Sequence, residues 1–92
     1  MFDIIFYRDK TGRSEIVDYL DELQKRAETD KNARVNREKI LSYMAALAEY
    51  GTRIGKPIVK HIDGNIRELR PLANRKFYFY WKDNKYHMVH YY

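Results

Sequence analysis

The chain contains no cysteine. Neither a disulfide framework nor a thiolate metal site is open to it, which fits a reducing compartment. Proline occurs twice and glycine four times among 92 residues, so most of the sequence is free to form helices and strands. No apolar run approaches the roughly 18 to 20 residues of a membrane span. The start, Met1-Phe2-Asp3, lacks the basic segment and long apolar stretch of a secretion signal. A soluble, cytoplasmic protein with no membrane partner is expected. Three histidines, without a His-x-x-x-His pair or a carboxylate cluster, argue against a bound metal, and no cofactor is expected. His61 with Asp63 reads as loop.

What is present is unevenly placed charge. From Arg53 onward there are nine basic residues against three acidic ones, a surplus of +6, whereas the first 52 residues carry nine basic and ten acidic. The basic half is also rich in tyrosine. Lysine and arginine meet phosphate while aromatic faces stack on bases, so this half suits a single-stranded nucleic acid. A chain of this length makes one domain around one core.

Phe2 to Tyr7 is aromatic and β-branched and is bounded by polar residues, which predicts a first strand with Phe2, Ile4 and Phe6 inward. Ser14 is a candidate N-cap, followed by Ile16, Leu20 and Leu23 at helical spacing, for a helix running to about Ala27. Thr29 to Asn32 breaks it. A second helix is predicted from about Ala33 to Tyr50, with Ile40, Met44 and Leu47 on one face and Gly51 as its stop. Gly51 to Gly64 reads as irregular, with a turn of helix around Val59 to Ile62. Strands are predicted over Ile66 to Arg70, ended by Pro71, over Lys76 to Lys82, and over Lys85 to Tyr92, the last two joined at Asp83-Asn84.

A strand, two helices and a three-stranded antiparallel meander give an α+β domain with the helices on one face of the sheet. Alternation puts Leu69 in the core and sends Glu68 and Arg70 side by side to the open surface. Of Phe77, Phe79 and Trp81 against Tyr78 and Tyr80, one set is core and the other exposed, and periodicity leaves open which. His87 falls on the opposite face from His90 and is left out of the site.

Asp18-Tyr19-Leu20, Tyr50-Gly51-Thr52-Arg53, Lys60-His61, Glu68-Leu69-Arg70-Pro71 and Arg75 at the head of the next strand follow in an order and spacing that resemble the RelE/HigB superfamily of toxins. The resemblance is in particular to the HigB-like branch of type II toxin–antitoxin systems, and it spans nearly all of residues 1–92 as a single RelE-like domain. The resemblance implies a metal-independent endoribonuclease that enters the ribosomal A site and cuts messenger RNA. It also implies a HigA-like helix-turn-helix antitoxin, through which alone operator DNA is bound. HigB-like relatives continue past the aromatic corresponding to Tyr92 into a lysine-rich segment and a helix that this sequence does not contain.

By the same resemblance, Arg75 contacts the scissile phosphate, and Arg70 is a second phosphate ligand or a scaffold for the first. Glu68 is the general base or only Arg70's ion-pair partner. His90 and Tyr92 are candidates for proton donor and stacking platform. Arg53, Lys56, Lys60 and Lys76 suit RNA backbone contacts. The exposed tyrosines stack on bases or pack under an antitoxin helix. Two further functions fit the same fold: a non-enzymatic, ParE-like gyrase inhibitor, and a truncated toxin that retains only antitoxin binding.

Overall fold

The structure, a computed structural model, describes residues 2–55 and 59–92. In chain order it has β1 (Asp3–Phe6), α1 (Glu15–Arg26), α2 (Lys31–Tyr50), a 3₁₀ turn (Gly51–Ile54), β2 (Val59–Asp63), β3 (Ile66–Leu72), β4 (Arg75–Lys82) and β5 (Lys85–Tyr91). This is the α+β class expected from the sequence.

Local chemistry sets the helix ends. The Ser14 hydroxyl accepts the Val17 amide at 3.3 Å, and the acids Glu15 and Asp18 of the first turn and the bases Lys25 and Arg26 of the last complement the helix dipole. The second helix begins at Lys31 rather than Ala33 because Asp30 caps it, accepting the amides of Asn32 and Ala33 at 2.9 and 3.4 Å. It ends at Gly51, whose φ of 66° is the left-handed value that glycine takes without strain. No helix among the described residues is long and apolar enough to cross a membrane.

The sheet has the order β1-β5-β4-β3-β2. Neighbours are antiparallel except β1, which runs parallel to β5 with Ile4 opposite Tyr86 and Phe6 opposite Met88. Ile16, Leu20 and Leu23 of α1 and Ala33, Ile40, Met44 and Leu47 of α2 form the core with Leu69, Phe77, Phe79, Tyr86 and Met88. The phenylalanines of β4 are therefore the core set, and Tyr78 and Tyr80 lie half-buried on the other face.

Three particulars of strand pairing differ from what the sequence predicts. Val59 to Asp63 is a strand and not a loop with a helical turn. Gly64, at φ 52°, and Asn65 turn the chain so that Asp63 faces Ile66, and the segment folds back on β3. Only Val59 of its residues is buried. The meander accordingly has four strands, and the sheet five. The third strand also continues through Pro71 to Leu72, with an irregularity between Leu69 and Leu72 that accommodates a residue without an amide hydrogen.

The third difference is a bulge. Tyr78 pairs with His90 but Phe79 with Met88, which leaves Val89 as an extra residue in β5 and reverses the alternation beyond it. His87 faces Tyr80 and His90 faces Tyr78, so both histidines lie on the open face.

Candidate functional site

Arg75 opens β4 on the same side as Phe77 and Phe79, and so reaches toward the helices. Its Nε donates to the Tyr19 hydroxyl of α1 at 3.1 Å. The guanidinium carbon lies 5.2 Å from the Tyr19 ring centre and 5.9 Å from that of Tyr91. These rings stack on each other at 4.7 Å with 15° between their planes, and Tyr91 stacks in turn on buried Phe77. The hydrogen bond to Tyr19 raises the Arg75 pKa above its ordinary value and keeps the charge in place, while burial pushes the Tyr91 phenol up. Arg75 has no acidic partner among the described residues.

One turn before Tyr19 on the same helix stands Glu15. Its Oε1 contacts His90 Nδ1 and also accepts the Tyr91 backbone amide at 3.3 Å. The His90 ring lies parallel to Tyr78, centroids 6.0 Å apart. Beside the pair is a depression of about 180 Å³ lined by Tyr7, Asp9, Arg13, Glu15, Val89 and His90.

Glu68 and Arg70 form a separate unit. Arg70 donates to Glu68 Oε1 from Nε at 3.0 Å and from a terminal nitrogen at 2.6 Å. The exposed pair expected from alternation is not what forms. The Glu68 side chain is 4% exposed and that of Arg70 40%, because Lys60 and Tyr78 flank Glu68 on the neighbouring strands and Arg70 closes over it. Glu68 lies on the open face and Arg75 on the helix-facing side, so these candidates do not share a cluster.

The remaining candidates are spread out. Tyr92, 72% exposed, exchanges backbone hydrogen bonds with Lys76 at 2.8 and 3.1 Å and so extends the β4–β5 pairing past Tyr91. Arg53 is exposed and donates to the Tyr50 carbonyl at 3.3 Å. The amide of its neighbour Thr52 donates to the Tyr86 hydroxyl at 3.2 Å, which places this turn toward the β4–β5 turn, at the other end of β4 from Arg75. Lys60 is exposed on the edge strand, and Lys56 lies outside the described residues. Among the described residues no three His, Asp or Glu side chains converge to hold a metal ion.

Sequence reasoning missed Glu15, Tyr19 and Tyr91 as parts of this corner. A signal for the first two was available, since residues four apart on a helix share a face and Ser14 marks the helix start. Nothing local pointed from α1 to the far end of β5.

A family model described as "Phage derived protein Gp49-like (DUF891)" matches residues 18–92. That span takes in Tyr19, Arg75, His90, Tyr91 and the whole meander. Among solved structures, the YoeB dimer from Staphylococcus aureus is similar, with a TM-score of 0.57 and 13% sequence identity over 96% of this chain and 91% of that one. At that identity the likeness is one of fold. No curated protein matches the chain.

Proposed function

We infer, since the chain belongs to the phage-derived Gp49-like family, a family of RelE/YoeB-like toxins, that it is the toxin of a type II toxin–antitoxin pair. Its activity, in this reading, is metal-independent cleavage of messenger RNA on the ribosome. The observation that carries the reading is Arg75. A guanidinium held by one tyrosine, laid beside a second and left without a carboxylate among the described residues is an oriented and uncompensated cation, and a phosphate supplies the complementary charge and geometry.

The chemistry is transesterification. The ribose 2′-oxygen attacks the adjacent phosphorus, the P–O5′ bond breaks, and the extra charge on the phosphate oxygens meets Arg75. Exposed Tyr92 offers a ring for a base, while Lys76, Lys60 and Arg53 contact RNA backbone. Glu68 and Arg70, engaged with each other, are assigned to the scaffold. A HigB-like branch assignment and a HigA-like antitoxin as the silencing partner complete the reading.

Primer extension on messenger RNA from translating ribosomes, with Arg75→Ala beside the parent protein, tests it. Cuts at A-site codons that vanish in the variant are expected. A toxic, well-folded Arg75→Ala protein would remove the site assignment. One observation favours a binding-only toxin such as a gyrase inhibitor: Glu68 and Arg70 do not join Arg75 in a common cluster. A folded parent protein that binds antitoxin and cuts nothing would overturn the endoribonuclease reading, and a gyrase assay would then separate an inhibitor from a toxin that retains only antitoxin binding.

A further inference from the structure

We propose that Glu15 is a positioning residue for His90: it fixes the imidazole proton on Nδ1, so that Nε2 is the proton acceptor for the ribose 2′-hydroxyl. The second half rests on the endoribonuclease reading, and the first half does not.

The argument starts from the contact between His90 Nδ1 and Glu15 Oε1. A carboxylate accepts and does not donate, so in the neutral ring the nitrogen facing it carries the hydrogen. The other nitrogen then holds a lone pair. Which ring nitrogen is protonated follows from the bond the other one makes, and without Glu15 that constraint is gone.

Glu15 is itself held in place. The first strand makes its last backbone contact with β5 where the Tyr7 amide donates to the Met88 carbonyl. Past that point the Tyr91 amide has no strand partner on that side, and Glu15 Oε1 accepts it at 3.3 Å. The imidazole is fixed from a second direction by Tyr78, whose ring lies within 11° of parallel to it.

The other charged and titratable groups around His90 are Tyr78, Tyr91, Tyr7, Asp9 and Arg13. Asp9 is engaged elsewhere, accepting the Thr11 hydroxyl at 2.6 Å and the amides of Thr11 and Arg13 at 2.8 and 3.1 Å. Arg13 pairs with Asp18 at 3.3 Å. Among the described residues Glu15 is thus the carboxylate in contact with the ring.

His90 lies on the open face and Arg75 on the helix-facing side, with Tyr91 between them, its ring centre 6.4 Å from that of His90 and 5.9 Å from the Arg75 guanidinium carbon. Glu15 and Tyr19, four residues apart on α1, contact His90 and Arg75 respectively. In the step proposed, Nε2 takes the proton from O2′, the O2′–P bond forms, the P–O5′ bond breaks, and O5′ takes a proton from water. The products are a 2′,3′-cyclic phosphate and a 5′-hydroxyl.

Ring-nitrogen NMR of the full chain, with no ribosome present, reads the tautomer directly. His90 in the parent protein is expected with its proton on Nδ1, and Glu15→Ala should move it to Nε2. In the ribosome cleavage assay the same variant should lose roughly tenfold or more in kcat with KM little changed. Should Glu15→Ala fail to fold, Glu15→Asp keeps an acid at the helix start but withdraws it by one methylene, and the same tautomer change is expected. An Nε2 proton in the parent protein, or an Nδ1 proton that persists in the folded variants, overturns the positioning role. Unchanged cleavage in Glu15→Ala overturns the base assignment. A parent protein that cuts no messenger RNA overturns the endoribonuclease reading and the base assignment with it, while the tautomer is still decided by NMR.

Discussion

Tyr19 of α1 and Tyr91 of β5 stack face to face with ring centroids 4.7 Å apart, and Arg75 lies beside both. The pair joins the first helix to the last strand and determines where the cation stands.

Tyr19→Phe keeps the stack and removes the hydroxyl that accepts Arg75 Nε at 3.1 Å. One hydrogen bond to a charged group contributes about 1.5 kcal/mol, so messenger RNA cleavage should fall about tenfold. Thermal stability should change by no more than about 1 kcal/mol. Arg75→Lys should behave like Arg75→Ala in the same assay, since an ammonium cannot keep the Tyr19 bond and present a planar fork to phosphate together. A fully active Arg75→Lys protein would contradict the role given to Tyr19.

Glu68 and Arg70 should respond unequally to truncation. Arg70→Ala leaves a carboxylate that is 4% exposed without its partner. We expect a loss of about 2–3 kcal/mol in urea denaturation, below the range for fully buried pairs because Arg70 is itself partly solvated. Glu68→Ala leaves an arginine that can turn to water, at a cost of about 1–2 kcal/mol. The reverse order would mean that Glu68 is not closed off from solvent.

Gly51→Ala should destabilise by about 1–3 kcal/mol, read as a lower thermal midpoint. An added Cβ would sit 2.9 Å from the Tyr86 hydroxyl and 3.0 Å from the Phe2 ring, at a backbone φ of 66°. Tyr86→Phe in the same background should recover part of the loss by clearing the nearer contact.

Stability should fall at alkaline pH through Tyr91. Burial raises its phenol pKa above the ordinary 10.0, with Arg75 opposing in part. A folded-state pKa above the unfolded one means that the folded chain holds the proton more tightly. The contribution is therefore fully present below about pH 10 and is lost as pH rises through the folded value. Urea midpoints at neutral and strongly alkaline pH should show a smaller drop for Tyr91→Phe than for the parent chain.

Elements with a local chemical signature were legible in the sequence. Ser14 and Gly51 mark helix ends, and Asp83-Asn84, with φ of 54° and 63°, makes the two-residue turn its composition announces. The edge strand Val59–Asp63 was not legible, since four of its five side chains are exposed and leave no apolar alternation to read. His87 was misplaced because a period of two holds only while pairing is regular, and one extra residue at Val89 reverses it. Alternation gives the side of the sheet on which Glu68 lies, but not the Arg70 side chain that stands over it. As to the site, Arg75 and His90 were candidates from the start, but their partners Tyr19 and Glu15 lie 56 and 75 residues away in the chain.

The parallel pairing of Asp3–Phe6 with residues 85–88 has a consequence for how the protein is born. Its first strand leaves the ribosome early and has nothing to pair with until residues more than eighty positions later have been made. Helices can form on the nascent chain, but the order β1-β5-β4-β3-β2 cannot close before residues 85–88 are available, and pairings so distant in sequence form slowly. The corner that holds Arg75 waits longer still, for Tyr91. Until Tyr91 has been made, the growing chain has no Tyr19–Tyr91 stack to hold Arg75 in place.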